Sequence, residues 1–409
     1  MAGAAGRKDV TGGIAADAAA TDRPQGVRPL VAAMPFTLIG QVALAGLGDP
    51  DIVPLWYGES DVPTPALISD AAAAALRAGE TFYTFKRGIP ELRRAIATYL
   101  AGLYGRAIDV ERVIVTSSAM SGIMMLFQAL VEPGDNVVVV TPLWPNVVDA
   151  VTVLGGEIRA VPLAASPEGS WRLDLQRVMA ACDRKTRAIF VNSPGNPTGW
   201  VMRRDEAAAL LAFSRRGGLW LIADEVYARF VYDGSRAAPS LLEIAEAEDR
   251  GVAVNSFSKA WAMTGWRLGW MAVPREIQEV ADKLVEFNTS CAPPFLQRAG
   301  VVALEQGEPV VASLVERCAR GRDILIEGLA RFPRVHVAAP PGGFYAFCRI
   351  DGLADSLAFA KEILKRVKVG VAPGAAFGPA GEGYLRLCFA CAPARLDLAL
   401  ERLEAVLSA

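Results

Sequence analysis

Ser256-Phe257-Ser258-Lys259-Ala260-Trp261-Ala262-Met263-Thr264-Gly265-Trp266, with Arg267 next, sets two serine hydroxyls, one amine and one guanidinium in a single tight segment. The apolar run Gly251-Val252-Ala253-Val254 precedes it and reads as a buried strand that holds those groups at its carboxyl end. A lysine amine attacks an aldehyde to give a Schiff base, and a planar guanidinium fork with two hydroxyls holds a phosphate dianion. The segment therefore suits a ligand with a phosphate beside a carbonyl. Taken alone, Lys259 and Arg267 also read as two solvated charges, so the rest of the chain decides.

With 409 residues, 52% hydrophobic and 21% charged, the chain has room for two or three domains and a large core. A net charge of −2, from 42 basic and 44 acidic residues, gives no electrostatic footprint for nucleic acid or an anionic membrane. No run approaches the roughly 18 uninterrupted apolar residues of a membrane helix. Six scattered cysteines are unlike a disulfide-stapled secreted domain, and a reducing cytoplasm fits best. Cys388 and Cys391 form a C-x-x-C inside a strand-like stretch and read as buried structural residues. The only histidine, His336, excludes a multi-histidine metal site by count. Residues 1–28, rich in Ala, Gly, Asp and Thr and lacking the apolar core of a signal peptide, read as a flexible tail.

Between residues 110 and 275, short apolar runs at 113–115, 137–140, 188–191, 219–223, 252–254 and 268–273 alternate with helical patterns at 121–131, 175–182 and 204–216. Such alternation predicts an α/β domain whose mostly parallel central sheet is flanked by helices. Beyond residue 300 a long helical stretch runs through Leu329, followed by strands near 335–337, 343–350 and 384–389 and helices at 356–366 and 393–407. These read as a smaller α+β domain. Residues 63–300 are assigned to the large domain, and 29–62 with 301–409 to the small one.

Ligands in open α/β sheets bind at the carboxyl ends of strands, and several motifs fall there. Asp224 ends the run Leu219-Trp220-Leu221-Ile222-Ala223, with Tyr227 three residues on. A lone strand-end Asp is usually a helix cap, yet a carboxylate there can also keep a pyridine nitrogen protonated while a tyrosine bonds a phenolic oxygen. Asn192-Ser193-Pro194-Gly195-Asn196-Pro197-Thr198-Gly199 is a turn that aims the Asn196 amide, with a cis peptide open before Pro197. Thr116-Ser117-Ser118-Ala119-Met120 before a helix offers backbone N–H groups to a phosphate, although an N-capping serine looks the same. Trp144 can stack on a flat ring, core packing being its usual fate. Pyridoxal phosphate, an aldehyde and a phosphate on one pyridine ring, matches the set.

These residues resemble the aspartate aminotransferase family, the class I/II pyridoxal-phosphate aminotransferases, over nearly the whole chain. The resemblance is carried by Trp56-Tyr57-Gly58-Glu59-Ser60-Asp61 with Thr64-Pro65, Tyr83 with Gly88-Ile89-Pro90-Glu91-Leu92-Arg93, Ser193 to Gly199, Asp224-Glu225-Val226-Tyr227, the Lys259 segment, Pro373-Gly374, Phe377-Gly378 and Arg386. It implies a pyridoxal-phosphate-dependent transferase fold and a ping-pong exchange of an amino group between an amino acid and a 2-oxo acid. Lys259 would form the Schiff base and shuttle the proton. It further implies that Asp224 pairs the pyridine nitrogen, Asn196 and Tyr227 bond the phenolic oxygen and Trp144 stacks. Ser118, Ala119, Met120, Ser256, Ser258 and Arg267 would hold the phosphate, and Arg386, Gly58 and Asn196 the substrate carboxylate. The site would be shared in a homodimer, Tyr83 reaching the neighbour's phosphate. Two departures stand out: Ser117-Ser118-Ala119-Met120 replaces a glycine-rich loop, and the bulky Trp56-Tyr57 is expected to narrow the substrate pocket. Lys86 and Arg87 are candidates for a distal substrate carboxylate, with solvated loop charge the favoured reading. A lyase or decarboxylase on the same cofactor is the alternative reaction. A cofactor-sensing regulator would need a basic helix-turn-helix pattern that is not seen.

Overall fold

The computed structural model describes residues 26–408; most of the tail assigned to residues 1–28 thus lies outside the described residues. The chain divides into two units, the boundary falling after Pro35. The first contributes the short helix Pro29–Ala32. The second, Phe36–Ala409, contains both large sheets.

Seven strands form the larger sheet: β1 (Val113–Thr116), β2 (Asn136–Thr141), β3 (Glu157–Pro162), β4 (Thr186–Asn192), β5 (Trp220–Asp224), β6 (Gly251–Ser256) and β7 (Gly269–Ala272). Their order is β1-β7-β6-β5-β4-β2-β3, with β7 antiparallel to both neighbours and the other pairings parallel. Apart from the edge strand β3, the strands are largely apolar without alternation because both faces are covered. Val137 and Val139 pack toward the helix Ala119–Leu130, whereas Val138 and Val140 pack toward the helix Arg204–Gly217, through Leu210 and Leu211. The period of two along a strand sends successive side chains into two separate cores.

A four-stranded antiparallel sheet follows, built from β8 (Val335–His336), β9 (Tyr345–Ile350), β10 (Ala372–Pro373) and β11 (Tyr384–Cys388) in the order β8-β9-β11-β10. The helices Ser356–Val367 and Pro393–Leu407 supply its apolar cover, as the sequence led us to expect. Val53–Pro54 pairs in parallel with Val369–Gly370, which ties the segment before the large sheet to this second core. The long helical stretch is interrupted: helices Pro294–Gln306 and Glu308–Leu329 meet at Gly307, where a Cβ would lie 2.3 Å from the Ala303 carbonyl oxygen. Among the described residues, no helix is long and apolar enough to cross a membrane.

Candidate active site

The carboxyl ends of β1, β2, β4, β5 and β6 lead into one cavity of ≈ 300 Å³. Its lining includes Gly58, Ala119, Met120, Trp144, Asn196, Asp224, Tyr227, Ser256, Ser258, Lys259 and Arg267, eleven of the fourteen residues expected from sequence.

Lys259 follows β6 by three residues, and its amine donates a 2.6 Å hydrogen bond to the Gly58 carbonyl. Burial, reinforced by the Arg386 and Arg267 cations, lowers its pKa to about 8. Asp224 ends β5. Its carboxylate accepts one hydrogen bond among the described residues, 3.2 Å from the Val226 N–H, and burial pushes its pKa up to about 7. A desolvated acid with so few donors fits a cationic N–H partner in the cavity.

At another wall, the Ser256 and Ser258 hydroxyls lie 2.8 Å apart, and Arg267 donates to the Thr264 carbonyl from a left-handed backbone with φ 53°. Beside them, next to Gly269, the register partner of Ser256, begins the helix Ala119–Leu130. Ser118 is its N-cap, its hydroxyl accepting from the Ser121 N–H at 2.9 Å, so the capping alternative holds for that side chain. Ala119 and Met120 line the cavity with the first turn of the helix, where unpaired amides and the helix dipole favour an anion. Hydroxyls, a guanidinium and a helix start, together with an amine and a carboxylate lining the same cavity, suit a phosphorylated pyridine aldehyde.

The turn after β4 is fixed by Asn192, whose side-chain oxygen accepts from the Asn196 N–H at 2.7 Å and whose amide donates to the Asp224 carbonyl at 3.1 Å. The Asn196–Pro197 bond is cis, as is Ser193–Pro194. Arg386, fully buried on β11, donates to Asn196 Oδ1 at 2.9 Å and to the Trp56 carbonyl; its Nε has no partner among the described residues. With two of five N–H groups engaged in this way, the guanidinium keeps donors for a carboxylate.

Three expected residues do not line the cavity: Ser118, Arg386, which stands behind Asn196 and Tyr345, and Tyr83, which is 88% exposed. The bulky pair before Gly58 does not narrow it either. The Trp56 ring packs over Gly370 in the second core and Tyr57 is exposed. Lys86 pairs with Glu286, and Arg87 with Asp282 at 2.7 Å, so both serve the loop's attachment to the helix Gln278–Thr289. Sequence reasoning missed Asn192, Thr264 and Tyr345. The strand-end rule that selects Asp224 also selects Asn192; Tyr345 sits inside an aromatic run that reads only as strand.

Comparison with known proteins identifies the family. The family model described as aminotransferase class I and II matches residues 50–403. An aspartate aminotransferase of Pyrococcus horikoshii is 34% identical over 360 residues, covering 87% of this chain and 91% of that protein. An arginine–pyruvate transaminase of Pseudomonas aeruginosa is 36% identical over 339 residues, covering 82% and 85%. The solved Thermus thermophilus aspartate aminotransferase single mutant superposes with a TM-score of 0.85 at 33% identity, over 94% of this chain and 100% of that one. Family members use pyridoxal phosphate to transfer amino groups between amino and 2-oxo acids. The chain belongs to the class I and II aminotransferases and has their pyridoxal-phosphate-dependent transferase fold and activity.

Proposed function

We propose that Lys259 is both the covalent anchor of the cofactor and the group that moves the proton at the substrate α-carbon. The observation that carries this reading is the convergence of Lys259, Asp224 and Arg267 on one cavity at the strand ends. Bound there, pyridoxal phosphate supplies an electrophilic carbonyl and an electron-withdrawing ring. Asp224 holds positive charge at the ring nitrogen, while Tyr227 and Asn196 donate to the phenolic oxygen and Trp144 covers the ring. The Ser256 and Ser258 hydroxyls, Arg267 and the amides of Ser118, Ala119 and Met120 hold the phosphate. Arg386 clamps the substrate carboxylate, aided by Gly58 and Asn196. An amine with a pKa near 8 exchanges protons readily near neutral pH.

The reading extends to assembly. Phe82, Tyr83 and Phe85 stand exposed on one loop, which supports a homodimer in which Tyr83 reaches the neighbour's phosphate. Six free cysteines support a reducing compartment such as the cytoplasm. The pairing of Val53–Pro54 with Val369–Gly370 supports a small domain of residues 29–62 and 301–409 beside a large domain of 63–300.

Titrating the holoenzyme with a panel of amino acids identifies the donor: productive donors convert the visible band to that of the aminated cofactor. Lys259→Ala is expected to abolish turnover. Transamination by that variant at near wild-type rate would overturn the role given to Lys259.

A further inference from the structure

Tyr345, the first residue of β9, touches three groups of the site at once. Its hydroxyl lies 2.6 Å from the Tyr227 hydroxyl, in the short range of O–H···O bonds. The same oxygen lies over Gly58, where a Cβ would come within 1.9 Å of it. Its ring carries the Arg386 guanidinium 4.4 Å from the centroid, with Phe377 flanking the cation at 5.0 Å. Tyr345 is fully buried, and among the described residues Tyr227 is the only hydrogen-bond partner of its hydroxyl.

We propose that Tyr345 is a positioning residue with two separable actions: its hydroxyl directs the Tyr227 proton into the cavity, and its ring fixes the plane of Arg386. Two hydroxyls at this distance share one hydrogen bond, so one donates and the other accepts. When Tyr345 donates, the Tyr227 proton is left to point at the ligand, and accepting a bond makes Tyr227 the stronger donor. The opposite polarity turns that proton away. The ring acts on Arg386 by cation–π attraction, to which Phe377 adds a second aromatic contact. The inference rests on the placement of Tyr227 against the cofactor's phenolic oxygen.

The test compares Tyr345→Phe, Tyr345→Leu and Tyr227→Phe as holoenzymes, by pH titration of the cofactor's visible absorbance and by steady-state kinetics. A donor lost from the phenolate disfavours the deprotonated chromophore. Tyr345→Phe is therefore expected to raise the titration midpoint by roughly half a pH unit, in the same direction as Tyr227→Phe and by less. Its kcat falls several-fold with an unchanged KM for the amino acid, because the ring under Arg386 remains. Tyr345→Leu removes the ring as well and raises that KM by roughly ten-fold. A Tyr345→Phe midpoint equal to wild type, with Tyr227→Phe shifted, overturns the proposal while leaving Tyr227 in place. An unshifted Tyr227→Phe removes the placement of Tyr227, and the proposal with it. If Tyr345→Leu does not fold, the Tyr345→Phe titration still decides, since that variant loses a single oxygen.

Discussion

Asp224 and Lys259 are moved in opposite directions by the same cause: burial disfavours charge, so the acid rises to about 7 and the amine falls to about 8. The consequence for the apoprotein is specific. Between about pH 4 and 7 native Asp224 retains a proton that the unfolded chain has released, so stability falls as pH rises through that window. Asp224→Asn is expected to flatten the slope and to be the more stable apoprotein at pH 7, by on the order of 2 to 4 kcal/mol. Urea midpoints from pH 4 to 7 measure this; parallel wild-type and variant curves would contradict it. Some slope remains in the variant, because buried Glu225 is raised to about 7 as well despite donors from Ser240 and Leu241. Asp224 was legible as a site candidate because it ends an apolar run, whereas Asn192, which ends β4, was passed over although the same rule selects it. Tyr345 was not legible, since a phenol inside an apolar run looks the same whether it fills a core or supports another phenol.

Among the elements, the approach of β7 to the start of the helix Ala119–Leu130 matters most for the wall proposed to hold the phosphate. A Cβ on Gly269 would lie 2.6 Å from the Ala119 nitrogen and 2.8 Å from the Ser118 carbonyl carbon, both of them backbone atoms. Gly269→Ala must shift that helix start, at a cost of roughly 1 to 3 kcal/mol. Cofactor affinity is expected to fall roughly ten-fold or more with the circular dichroism unchanged. An unaltered Kd in an absorbance titration would mean that the helix start does not hold the phosphate. Legibility differs strand by strand for physical reasons. β2, β4 and β5 are covered on both faces and stand out as apolar runs. β3 lies at an edge, is largely uncovered, and mixes Glu157 and Arg159 with apolar residues, so its sequence hides it. The reversed direction of β7 leaves no mark either, because an apolar strand reads alike both ways.

For the molecule as a whole, the exposed aromatics of the loop around Tyr83 set the expectation. In the proposed homodimer, Phe85→Glu places a charge in the subunit interface, and light scattering is then expected to show monomers together with weakened cofactor binding. A variant that stays dimeric with full affinity would place the interface elsewhere. All of these roles depend on one bond. Borohydride reduction of the protein reconstituted with pyridoxal phosphate, followed by peptide mass spectrometry, reads that bond directly. The expected result is a stable phosphopyridoxyl adduct on the peptide that contains Lys259. A colourless protein without the adduct, or an adduct on a different lysine, would contradict the assignment.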